Sequence, residues 1–282
     1  KLPEYQPQVL IVGNVVVKAG STAMQKLILQ NNANLTLLRM TSGTGTLKIT
    51  GDATTSPDLL INSGSTLVST MLSNINDSAG NTIALSPNAT GQVSGVLSLL
   101  NGASKITVSN TQPGGALFFE NGAVCNAKTN TTYSSSGSSS SNYPFGSNSG
   151  VVRGVVFNNG CKFVYLGGSA AFTTTSNYYP VEFKKGSTFR IETSVPTANV
   201  TSANLFKSRR FSNVEIATGQ SVTADAFYSM DNLTIENGAT FYLKSSGASP
   251  ISGNIDNNGT FGSAPGFTSS NLLMAGTQPQ TV

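Results

Sequence analysis

One short pattern recurs along the chain and restricts its fold more than any other feature. An apolar–polar alternation runs into a glycine, a small residue follows, and a second alternation leads away. Residues 59–69 read LLINSGSTLVS and 155–165 read VVFNNGCKFVY. Residues 181–191 read VEFKKGSTFRI and 233–243 read LTIENGATFYL. Around Gly238, apolar Leu233 and Ile235 precede, Ala239 follows, and Phe241 and Leu243 continue. Gly186 and Gly160 are framed in the same way, with partial copies at Gly20, Gly102, Gly122, Gly219 and Gly259. Alternation with period two on both sides of a glycine means strand, turn, strand. The glycine supplies positive φ at the corner, and the small residue fits the inside of the bend.

Two architectures use such a unit. In a hairpin meander or sandwich, the strands flanking a turn pair with each other. In a parallel solenoid, each strand pairs with its equivalent one coil on. The motif glycines of the second part of the chain are Gly102, Gly122, Gly160, Gly186, Gly219, Gly238 and Gly259. Several of their intervals match one common length or twice that length. This favours an all-β, single-domain parallel β-solenoid (β-helix) over 1–282, with coils of about 20 residues and loop insertions. Twelve to fourteen such coils would make a rod about 60 Å long. No stretch has convincing helical periodicity; STAMQKLILQ at 21–30 comes nearest. Asn recurs beside the turns, at Asn32, Asn62, Asn121, Asn159 and Asn237 among others. Two explanations stand: Asn suits turns, or its amides stack as ladders along the axis.

Composition narrows the chemistry. His is absent, which excludes His-dependent triads, Cys/His zinc sites and imidazole acid–base catalysis. Only 10% of the chain is charged, while Ser, Thr and Asn number 38, 32 and 28, over a third of its 282 residues. The net charge of +4 comes from scattered Lys and Arg, with no run longer than two, so a nucleic-acid partner is not expected. Its hydrophobic 38% is too dispersed for a membrane span. The acids form no D-x-D, D-D or E-x-D cluster, and Glu182 and Glu192 fall out of register with the apolar positions, so both should face solvent. We therefore expect no enzyme, no catalytic residue, no metal and no cofactor; a polysaccharide lyase or hydrolase is the enzymatic alternative.

Residues 129–150, TNTTYSSSGSSSSNYPFGSNSG, interrupt the repeat as a Ser-rich insertion loop. It carries Tyr133, Tyr143 and Phe145, and a second polar excursion at 170–180 carries Tyr178 and Tyr179. These five aromatics are the candidate ligand or subunit contacts; the plainer reading folds them back onto the rod. Cys125 and Cys161 flank the insertion with the same strand parity. A disulfide and two free buried thiols are both open for them.

LTIENGATFYL, VEFKKGSTFRI and LINSGSTLVS resemble repeats of large secreted β-helical surface proteins, such as type IX secretion cargo and autotransporter passengers. The similarity covers most of residues 10–262 and transfers no functional residue. It implies an extracellular or cell-surface location, which the Ser/Thr/Asn-rich, charge-poor composition also suggests. It further implies an adhesive or structural role. Both terminal segments, QVLIVGNVVVKAG at 8–20 and GFTSSNLLMAGTQPQTV at 266–282, are β-prone or uncharged and lack a capping helix. The expected function is an extracellular structural or adhesive protein, a fibre or filament subunit that self-associates head to tail through its solenoid ends. A glycan-binding module, or a phage-like fibre contacting a glycan or cell-surface ligand, is the alternative. The start at Lys1, without Met, is that of a processed product or an excised segment.

Overall fold

The computed structural model describes residues 8–11, 13–18, 21–40, 44–52, 57–71, 80–100, 104–109, 115–128, 143–146, 154–167, 171–172, 181–195, 205–206, 209–224, 228–244, 248–267 and 271–282. Among them there are strands and turns but no α-helix. Every pairing between the described strands is parallel, so the strands on either side of a motif glycine do not pair with each other. Each pairs with its counterpart further along the chain, which excludes the meander. The chain is all-β, built of parallel sheets of the kind that stack in a β-helix.

Three faces are visited in cyclic order through the first half of the chain. The first face runs through Gln8–Ile11, Lys26–Leu29, Leu59–Ile61, Gly91–Val93, Leu117–Phe119, Val155–Phe157 and Val181–Phe183. The second is the longest, from Asn14–Lys18 to Asn271–Met274. The third stacks Thr22–Met24, Thr44–Ile49, Gly80–Leu85 and Lys105–Val108. Further on, the long strands Arg209–Ile216 and Tyr228–Ile235 turn the corner in one piece and carry first-face positions into the second face: Phe211 lies opposite Met230, and Met230 opposite Ile251. A fourth sheet, Ser221–Ala224, Thr240–Leu243 and Thr260–Ser263, takes the side left by the third.

The register corrects the repeat length. Layers of the length expected from the motif occur near the ends, where Asn14 faces Asn34 and Asn213 faces Asn232. Between them the step is longer, since Leu35 faces Leu67 and Val124 faces Lys162. The longer layers carry extra chain between the paired strands, and third-face strands such as Thr22–Met24 and Lys105–Val108 follow only the partial motif copies at Gly20 and Gly102. The continuous path of the second face has eleven strands, which at 4.7–4.9 Å per step gives an axial length of about 48 Å rather than 60.

Corners follow the motif closely. Gly64, Gly122, Gly160, Gly186, Gly219 and Gly238 all have φ between 70° and 84°. The next residue's N–H donates back to the carbonyl three residues earlier, as in Ser65 to Asn62 (3.0 Å) and Ala239 to Glu236 (2.9 Å). The small residue is buried in five of these six layers: Ser65, Ala123, Cys161, Ser187 and Ala239 are at most 1% exposed, whereas half-buried Gln220 follows Gly219. Asn beside the glycine has a stacking reason. A Cβ on Gly160 would lie 2.1 Å from Asn121 Oδ1, and one on Gly64 2.0 Å from Asn32 Oδ1. The amide of one layer thus fills the space above the glycine of the next. Amide-to-amide bonds also run along the axis, at Asn34 to Asn14 (2.8 Å) and Asn232 to Asn213 (2.9 Å). Asn31 and Asn32 form a corner of their own at φ 58° and 61°. Turn preference and axial stacking therefore both operate.

Inside, Leu and Ile fill the N-terminal layers and Phe the central ones. Phe119, Phe157 and Phe183 stack in register, with centroids 4.4 and 5.0 Å apart. Phe163, Phe189 and Phe211 form a second stack, at 5.5 and 5.0 Å. Where no third-face strand is described, single aromatics close the core: Phe145, Phe172 and Phe206 are each 2% exposed and meet these stacks.

Candidate functional site

The five candidate contact aromatics divide. Tyr133, Tyr178 and Tyr179 lie outside the described residues. Tyr143 is half-buried. Phe145 lies in the core, as in the plainer reading: its ring packs edge-on to Phe157 (5.9 Å) and against Phe163 (5.5 Å). The adjoining Pro144 carbonyl accepts from Ile106 N–H (2.8 Å), so this part of the Ser-rich insertion completes a side of the stack. Burial of a Phe ring outweighs exposure by about 2–3 kcal/mol, which is why it folds inward.

Cys125 and Cys161 do sit in neighbouring layers, but they are free thiols. The register sets Cys125 opposite Phe163, two residues beyond Cys161, so their side chains are not paired across the layers. Burial pushes Cys125 well above the ordinary thiol value, with the Cys161 charge adding to it. Burial also pushes Cys161 up to about 12, partly opposed by a backbone hydrogen bond and helped by Glu120. Thiols held this far from thiolate are poor nucleophiles.

Carboxylates do converge across layers, which the sequence spacing does not reveal. Arg190 Nε contacts Glu192 (2.7 Å), and its Nη1 contacts Glu215 (3.2 Å) and Glu236. Lys162 adds a second cation on Glu215 (2.9 Å). The hydrogen bond from Arg190, supported by Thr218, lowers Glu236 from 4.5 to about 2. Glu236 in turn raises the Arg190 guanidinium above its usual value. Glu236 is thereby held as an anion on Arg190, the cation that Glu192 and Glu215 also contact. A glycosidase acid of raised pKa is the opposite arrangement. Nearer the N-terminus, Lys26 pairs with Asp52 (2.9 Å), and buried Asp58 accepts from Thr90 N–H (2.9 Å) and Asp52 N–H (3.3 Å). Among the described residues, no group of three or more His, Cys, Asp or Glu is placed to hold a metal ion.

An open concavity runs along the outer corner between the first and second faces, a groove of about 860 Å³. Its lining comes from six successive layers, from Asn159 through Gly186, Ser212, Asp231 and Ser252 to Gly276. Glycines let adjacent layers pack closely here: a Cβ on Gly253 would lie 2.2 Å from Asn232 Oδ1, and one on Gly276 2.4 Å from the Ser252 carbonyl. Asp231 sits on the floor, accepting from Ser212 (3.0 Å) and Ser252 (2.9 Å). Ser212 Oγ also accepts from Gly186 N–H (2.8 Å). On the rim, Lys184 pairs with Glu182 (2.8 Å), while Arg210 reaches Asp231 only at 3.7 Å with its side chain 78% exposed. Exposed Lys185 has no ion pair among the described residues. Phe183 and Phe211 line the groove but are buried, 9% and 1% exposed.

No protein-family model, curated protein or solved structure matches this chain.

The ends of the stack complete the inventory. The last strands, Thr260–Ser263 and Asn271–Met274, leave Phe261, Leu272 and Met274 half-covered and Leu273 48% exposed. The final residues fold back over one corner: Ile255 N–H donates to the Thr281 carbonyl (2.9 Å), and Gln280 Nε2 donates to the carbonyls of Ile251 (2.9 Å) and Gly253 (2.5 Å). The sequence reads this tail as an uncapped end. Part of the end is covered by it, and among the described residues Asn271–Met274 is the last strand of the longest sheet.

Proposed function

We propose that this chain is a single-domain β-solenoid, closed around its three sides, acting as an extracellular structural or adhesive protein and joining like copies into a surface fibre or filament through its ends. The observation that carries the reading is that, among the described residues, Asn14–Lys18 and Asn271–Met274 are the terminal strands of the longest sheet, each paired there with a single strand. Parallel pairing already joins every layer to the next, and the outer side of a terminal strand can extend the same pairing to another copy. An end meeting the opposite end of an identical molecule is a heterologous contact, which propagates rather than closing. The half-covered Phe261, Leu272 and Met274 add apolar area that such a contact buries. Catalysis has no part in the reading: Glu192, Glu215 and Glu236 are held by Arg190, and both thiols are buried. Extracellular placement rests on the Ser/Thr/Asn-rich, charge-poor composition.

Sedimentation velocity and negative-stain microscopy of the 282-residue chain over a concentration series test this. Rods longer than one molecule are expected, shortened by Leu273→Lys, which places a charge on the terminal strand without entering the core. A particle that stays monomeric at every concentration overturns the proposal, as does assembly indifferent to that substitution.

A further inference from the structure

We infer that the corner groove is a binding site for an acidic polysaccharide strand lying along the stack. The inference does not depend on self-assembly, because the groove is on the side of one chain. Three observations carry it. The first is shape. Six layers contribute to the lining, and five steps of 4.7–4.9 Å make the groove about 24 Å long. That suits an extended polymer rather than a compact metabolite. The second is charge. Lys184, Lys185 and Arg210 face only Glu182 and Asp231 among the lining residues. Glu182 is taken by Lys184 (2.8 Å), and Asp231 by the hydroxyls of Ser212 and Ser252. Exposed Lys185 is left to meet anions from solution, and Arg210, 3.7 Å from Asp231 with its side chain 78% exposed, presents a second cation to them. Arg210 offers the planar fork that carboxylates accept from.

The third observation is what the lining lacks. Single-stranded nucleic acid needs exposed aromatic faces on which bases stack. Here the aromatic linings, Phe183 and Phe211, are turned into the core. An extended peptide would need a free strand edge, and the strands behind the groove are already paired with their neighbours. The groove instead presents amides and hydroxyls in a row, Asn213, Asn232 and Ser252, with two solvent-facing cations at one end. Repeating hydroxyls with periodic carboxylates are the complement of that row.

The test is binding of polygalacturonate to the full chain by calorimetry, with dextran as the neutral comparator and poly(dT) as the nucleic-acid one. Polygalacturonate is expected to bind most tightly, and more weakly as salt is raised. Lys185→Glu with Arg210→Glu should weaken it about tenfold or more, since charge-assisted hydrogen bonds are lost and repulsion is gained. Lys48→Glu with Lys128→Glu changes net charge equally on exposed positions elsewhere and should leave affinity within about twofold. Circular dichroism confirms folding, and Lys185→Gln with Arg210→Gln is read instead if the charge reversal does not fold. No polygalacturonate binding, equal loss in both charge-reversed pairs, dextran binding as tightly, or tighter binding of poly(dT) each overturns the inference.

Discussion

Glycine does two different jobs in this protein. At Gly238, φ is +70° and an added Cβ would have nothing within 4 Å, so the requirement is conformational alone. At Gly95, φ is not positive, but an added Cβ would lie 2.2 Å from the Ser65 carbonyl and 2.4 Å from that of Asn62. The layer Gly91–Val93 to Val96–Leu99 cuts its corner short and rests on the turn of the layer before it. Gly238→Ala should therefore cost about 1–2 kcal/mol, the strain of a left-handed residue with a side chain. Gly95→Ala should cost more, about 2–3 kcal/mol, because backbone must move away from backbone. Denaturant melts of the two variants would measure the difference, and equal losses would refute the distinction. The first kind of glycine is legible in the repeat. The second is not, because the carbonyls it rests on belong to the preceding layer.

Between elements, the outward positions of the second face are tied together by charge. Arg190 reaches carboxylates from its own and two later layers, so this cluster pins consecutive strands together where the step lengths change. Glu236 is held at about 2 in the folded protein against an ordinary 4.5. A depressed carboxylate contributes stability above its unfolded value and loses it as the proton returns. The contribution should be intact at neutral pH and disappear as pH falls from about 4.5 to about 2. Thermal melts across that window should show a decline that is shallower in Arg190→Met, which keeps the stem and removes the charge. An identical pH profile in the variant would show that Glu236 is held by something else. Glu182 and Glu192 face outward, as their register predicts, but alternation alone gives no hint that Glu192 shares a cation with Glu215 and Glu236.

For the whole molecule, stability in a layered stack is distributed by nearest neighbours, and the layers differ in what they bury. The central layers hold the Phe163–Phe189–Phe211 stack, all at most 1% exposed. The last layer, Asn271–Met274, has one neighbour and half-covered Leu272 and Met274. Amide hydrogen exchange should therefore be slowest in the strands between 155 and 216 and fastest in 271–282. Uniform protection along the stack would contradict a nearest-neighbour assembly. Phe189→Ala should raise exchange in the adjacent layers first and cost about 3–5 kcal/mol in a denaturant melt.

From the sequence alone came the strand–glycine–strand unit, the choice of parallel stacking over hairpins, the inward small residue after most corners, and the exclusion of His chemistry. All of these follow from local rules: period-two alternation, the φ range of glycine and the inventory of side chains. Tertiary structure decided the rest. The register made several layers longer than the motif spacing, since Leu35 faces Leu67 and Val124 faces Lys162. Phe145 lies in the core, where its ring meets Phe163, a contact its place in a Ser-rich segment does not reveal. Cys125 met Phe163 rather than Cys161, since register is set by where layers pair and not by parity within one strand. The groove and the Arg190 cluster join residues from several layers that lie far apart in sequence. Their positions depend on how much chain each layer spends before it returns, and that length is a property of the folded stack.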